Sequence, residues 1–81
     1  MTLYDLHERL IEDLRRRVHS GAMTERGLAR ITGVSQPHIH NVLKGKRLLS
    51  VQTADQILRR LHMDVMDLIE PEELLDSRRR E

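Results

Sequence analysis

The chain has 81 residues, with 14 Lys and Arg against 13 Asp and Glu, no Cys, no Trp, no Phe and a single Tyr. That length supplies one small core, and 38% hydrophobic against 33% charged residues excludes both a membrane span and a chain too polar to collapse. Without cysteine there is no disulfide framework, no Cys-based zinc finger and no thiol nucleophile, so helix packing or oligomerisation must hold the domain.

Apolar residues at Leu3, Leu6, Leu10, Ile11, Leu14 and Val18 recur at steps of three and four, the stripe of an amphipathic helix. Thr2 is placed to cap it and Gly21 to stop it, which predicts helix 1 from about residue 3 to about 19. The charges interleaved with leucines from Met1 to Leu14 do not make a secretion signal, and the cytoplasm is the expected compartment. Four further helix starts share one pattern: an apolar residue, a Ser, Thr or Asp cap, then an apolar or small residue four positions on that folds back as a hydrophobic staple. Met23, Thr24 and Leu28 open helix 2, which runs to about Thr32 and stops at Gly33. Val34, Ser35 and Ile39 open helix 3, which runs to about Lys44 and stops at Gly45. Leu49, Ser50 and Ala54 open helix 4, with Val51, Ala54, Ile57, Leu58 and Leu61 as its buried stripe. Met63, Asp64 and Leu68 repeat the pattern for a short helix 5 that Pro71 ends or restarts. No strand alternation is present. The expectation is an all-α, compact five-helix domain over residues 1–70, followed by a polar tail over 71–81 with one helical turn at Leu74 and Leu75.

Only Gly33, Val34 and Ser35 separate helices 2 and 3, a turn of the length that sets two helices at a steep angle. Ala29 is small where the helices cross, Gly33 suits a positive φ, and Ile39 with Val42 anchors helix 3 to the core. At about 100° per residue, Ile39, Val42 and Leu43 share one arc of helix 3, and Pro37, His40, Asn41 and Lys44 share the opposite one. Residues 23–47, MTERGLARITGVSQPHIHNVLKGKR, resemble the phage lambda repressor and Cro type of helix-turn-helix regulators, the XRE family. The likeness continues through Ser50 to Leu61, where that family places its fourth helix. It implies a lambda-repressor-like DNA-binding domain that sets its third helix into the major groove, usually as a homodimer. Such a dimer fits a palindromic operator with half-sites about one helical turn, roughly 34 Å, apart.

The residues themselves suggest the contacts. Gln36 and Asn41 carry amides that can pair bidentately with adenine, His40 offers an imidazole, and Pro37 offers van der Waals contact to a base while pre-setting the first helical turn. Lys44, Lys46 and Arg47 after helix 3, Ser35 at its cap, and Thr24 and Arg26 at the start of helix 2 are the expected phosphate contacts. Thr24 and Lys44 match places where the family touches phosphates. Three positions depart from the family pattern: Glu25 replaces a glutamine that braces the reading side chain, Gly27 lies inside helix 2, and Leu43 replaces a frequent acid.

Other functions fit less well. Residues two apart on a helix diverge, so His38 and His40 do not converge with His62 on a metal, and no cofactor is expected. No phosphate loop or nucleophile elbow points to an enzyme, and one Tyr far from the motif is too little for stacking RNA bases. The alternative from another class is an interaction module, such as an antitoxin whose main task is to mask a toxin. Arg15, Arg16 and Arg17, like Arg78, Arg79 and Arg80, read as solvated surface before they read as a second DNA anchor. The exposed apolar residues proposed for a dimer surface are Leu68 and Ile69, or Leu74 and Leu75. Finally, residues 19–50 carry five basic side chains and one acid, a net of +4, whereas residues 51–70 carry two and four, a net of −2. The near-neutral total conceals a polarised domain.

Overall fold

The computed structural model describes residues 1–73. Four α-helices, α1 (Leu3–His19), α2 (Glu25–Thr32), α3 (Gln36–Leu43) and α4 (Val51–Arg60), are followed by a single 3-10 turn over Val65–Leu68. The caps are those that the side-chain chemistry calls for. Thr2, Thr24, Ser35 and Ser50 each stand in extended backbone and accept a hydrogen bond from the amide three residues on, an arrangement that contributes about 1 kcal/mol per helix. Thr2 forms a reciprocal box with Asp5, and the amide and hydroxyl of Thr2 hold the Asp5 carboxyl below its ordinary range.

One core joins the helices. Leu10, Ile11 and Leu14 of α1, Leu28 of α2 and Ile39, Val42 and Leu43 of α3 are buried, and Ile57 and Leu58 of α4 close it. Val34 and Leu49, the residues just before two of the caps, are also buried, so the staples tie each turn to the same interior. Leu43 widens the buried face of α3, as its apolar side chain requires.

Two expectations of burial need correction, and the expected short fifth helix is present as a 3-10 helix of four residues: its capping box spans Asp64 to Asp67 and Ile69 leaves it in extended backbone. Pro71 then restarts the chain as a helical turn over 71–73, its fixed φ suiting a first helical position. Leu3 and Val51 are 74% and 69% exposed: each has the right azimuth but lies at the end of its helix, past the reach of the core. Leu68, proposed as exposed, is buried under α1, and Leu74, Leu75 and Arg78 to Arg80 lie outside the described residues. Among the exposed apolar side chains, Leu3, Tyr4, Leu48, Val51 and Val65 line an open groove of about 300 Å³ between α1 and α4.

Long polar side chains lock the layers. His7 of α1 accepts a hydrogen bond from the Leu49 amide at its Nε2, 2.9 Å away, so that nitrogen carries no hydrogen in this arrangement. Arg9 reaches across to the Glu73 carboxylate, with Nη2 to Oε2 at 2.6 Å, and donates to the Leu68 carbonyl at 3.2 Å. Hydrogen bonding from the Arg9 guanidinium, then from the Glu70 amide, lowers the Glu73 pKa from its ordinary 4.5. A carboxylate depressed in the folded state stabilises the fold above its unfolded pKa, and this contribution fades as pH falls through the folded value. Glu73→Gln should therefore leave a flatter loss of stability below about pH 4.5, measured as urea midpoints across an acid pH series.

Candidate nucleic-acid interface

The α2 to α3 corner is built from three constraints. Gly33 ends α2 in the left-handed region at φ 77, where a side chain costs roughly 1–2 kcal/mol. Its amide donates to the Ala29 carbonyl at 2.9 Å. Thr32, fully buried, donates its hydroxyl to the Leu28 carbonyl at 2.8 Å and accepts from the Val34 amide at 3.3 Å. From α4, the Gln56 amide nitrogen donates to the Thr32 carbonyl at 2.6 Å. The Gly33 and Val34 amides and the carbonyl and hydroxyl of Thr32 thus find partners inside the protein, as buried polar groups require.

Beyond the corner, α3 turns Ile39, Val42 and Leu43 inward and leaves Gln36, Pro37, His40 and Lys44 exposed, with Asn41 and His38 half-buried. Lys46 and Arg47 follow in the exposed loop to α4, and Thr24, Arg26 and Ser35 are exposed at the starts of α2 and α3. Thr24 and Ser35 use their hydroxyl oxygens as caps, accepting from Gly27 at 2.9 Å and His38 at 3.3 Å. Each hydroxyl hydrogen is still free to donate to an anion. One contact joins the two helix faces directly: Glu25 Oε1, at the first residue of α2, lies 3.0 Å from His40 Nδ1. The amino end of α2, where unpaired amides favour an anion, therefore borders the outward face of α3.

Several residues that shape this surface escaped the sequence pattern. Arg15 of α1, read among the solvated arginines, donates from Nε to the Leu43 carbonyl at 2.8 Å and holds the last turn of α3. Arg17 pairs with Asp13 at 2.7 Å. Gln56 and Arg15 act across 24 and 28 residues of sequence, with no local periodicity to mark them. For Thr32 a signal existed: it stands four residues after Leu28, on the inward arc. Gly27 also gains an explanation, since a Cβ there would meet the Thr24 Oγ1 at 3.2 Å and crowd the cap of α2.

Among the described residues, no group of three or more His, Cys, Asp and Glu side chains could hold a metal ion, and no helix is long and apolar enough to cross a membrane. Two short helices around a glycine corner, the second anchored by one face and polar on the other, define a helix-turn-helix, a DNA-binding class. A family model described as helix-turn-helix matches residues 14–68. The chain belongs to this family, the lambda repressor-like helix-turn-helix proteins, and is a DNA-binding regulator. Comparisons with curated proteins and with solved structures gave no match.

Gly33→Ala should lower stability by about 1–2 kcal/mol, read as a fall in Tm of several degrees. The strain of a positive φ is compounded by the Gln56 amide, 3.1 Å from the new Cβ. Gly27→Ala should lose less than Gly33→Ala, because Gly27 lies within α2, where alanine has the better helix propensity.

Proposed function

We propose that this regulator is a sequence-specific repressor that binds double-stranded DNA with α3 in the major groove, as a homodimer on a palindromic operator. The observation that carries the reading is the division of α3: its apolar arc is buried and its amide, imidazole and ammonium groups face out beside the amino end of α2. Side-chain amides at Gln36 and Asn41 match the donor and acceptor pattern of adenine, and His40 and Pro37 complete the reading face. Lys44, Lys46 and Arg47 at the far end of α3, with Thr24, Arg26 and Ser35 at the helix starts, supply phosphate contacts that fix the register. Repression then needs no further chemistry, since a bound dimer excludes other proteins from the DNA it covers. The homodimer and the palindrome rest on the family resemblance and on the symmetry such sites share with their proteins.

Selection of bound sequences from a random DNA pool should yield one motif with two inverted half-sites; a pool that enriches nothing would remove the sequence-specific reading. On the selected site, Asn41→Ala and Gln36→Ala should each weaken binding by about 1–3 kcal/mol and relax preference at one base pair. Wild-type affinity and preference in both variants would rule out α3 as the reader.

Phosphate contacts have a different signature. Lys44→Ala and Arg47→Ala should weaken binding to all sequences alike and reduce the slope of log affinity against log salt by about one unit each. An unchanged slope, measured by titration across a salt series, would take these residues off the phosphate list.

A further inference from the structure

Resting on that reading of α3, we infer that Glu25 is a positioning residue: it fixes the ring orientation and tautomer of His40, and through His40 the preference at one base pair. The evidence is the contact between helices, Glu25 Oε1 to His40 Nδ1 at 3.0 Å across 15 residues of sequence. An ionised carboxylate only accepts, so Nδ1 must carry the hydrogen while the pair is made. Nε2 is then the ring atom left to meet a partner outside the protein, and the exposures agree. The His40 side chain is 48% exposed and that of Glu25 only 26%, so the imidazole is the more accessible member of the pair.

Without the carboxylate the ring is free to flip and to move its hydrogen between the two nitrogens, which presents a base edge with either a donor or an acceptor. A reader that alternates in this way discriminates poorly. The pair removes one of those freedoms before DNA arrives, the same pre-ordering by which a histidine's second nitrogen is held in other sites. The location of the charge sharpens the point. Glu25 is the only acid between residues 19 and 50, and a carboxylate beside phosphates opposes binding to any sequence. Its contribution is therefore to selectivity and not to general affinity. The competing account is that Glu25 only complements the positive end of α2, in which case its charge matters and its contact with His40 does not.

Glu25→Gln separates the two accounts, because its amide oxygen can still accept from Nδ1 while the charge is gone. Wild type, Glu25→Gln, Glu25→Ala, His40→Ala and the Glu25→Ala/His40→Ala double variant are compared by competitive binding to the selected operator and its single-base variants. Glu25→Ala should lose about tenfold discrimination at one base pair, the same pair as His40→Ala, and the double variant should lose no more than either single one. Glu25→Gln should keep the preference and bind every sequence somewhat more tightly. In the DNA-free protein, nitrogen NMR of the neutral His40 ring should show the hydrogen on Nδ1 in wild type and Glu25→Gln, and a mixture of tautomers in Glu25→Ala. Unchanged preference in Glu25→Ala alongside a loss in His40→Ala overturns the inference, as does a His40 tautomer that ignores Glu25. If His40→Ala keeps full preference while Asn41→Ala loses it, the inference fails and the reading of α3 survives. If His40→Ala, Asn41→Ala and Gln36→Ala all leave affinity and preference unchanged, the reading of α3 fails with it.

Discussion

Gly33 holds a left-handed backbone at φ 77 with the Gln56 amide 3.1 Å from where a Cβ would stand, and the angle between α2 and α3 depends on that pair of constraints. From there the geometry propagates outward. Thr32, on the last turn of α2, satisfies the amide of Val34, so the corner is closed by side-chain chemistry on one side and by α4 on the other. Val34 and Ile39 then enter the core together, and once they do, the polar arc of α3 has only one direction left to face. The outward direction of the polar arc of α3 is thus a by-product of burying two apolar side chains around a corner whose glycine holds a left-handed backbone.

Electrostatics follow the same division. The net charge of +1 describes neither half of the molecule. Basic side chains gather from Arg26 to Arg47, and the acids collect on α1, α4 and the segment after it, where several are paired: Asp13 with Arg17 and Asp55 with Arg59 within one helix, Glu73 with Arg9 across the fold. The exposed Asp55 to Arg59 pair contributes little to stability. All three keep acidic groups occupied on segments other than α3, which leaves the positive segment's field less opposed.

Helix boundaries were legible because caps and glycines are local. A Ser or Thr before an apolar run, and a glycine after it, determine hydrogen bonds within four residues, and α1, α2 and α3 start and stop where those signals stand. The exit of α4 carries no such signal, since His62 takes φ 57 without a glycine. Azimuth was legible too, but not depth along a helix: Val51 and Leu3 have core-facing angles and remain exposed because nothing crosses the helix ends there. At the interface, the outward set of α3 could be read from its period. The Glu25 to His40 pair could not, since position 25 drew notice only as a departure from a pattern, and the distance between two helices is a property of the packed corner. Arg15 and Gln56 were illegible for the same reason.

The contact from Arg15 to the Leu43 carbonyl has an effect at a distance. An α-helix ends in carbonyls whose summed dipoles amount to roughly half a negative charge, opposite in sign to the Lys44, Lys46 and Arg47 side chains that follow α3. A guanidinium reaching over from α1 cancels that sign at its source. Arg15, 36% exposed at its side chain and on a different helix, therefore acts as a counter-ion built into the protein. It makes the potential around the end of α3 more positive without being part of that helix.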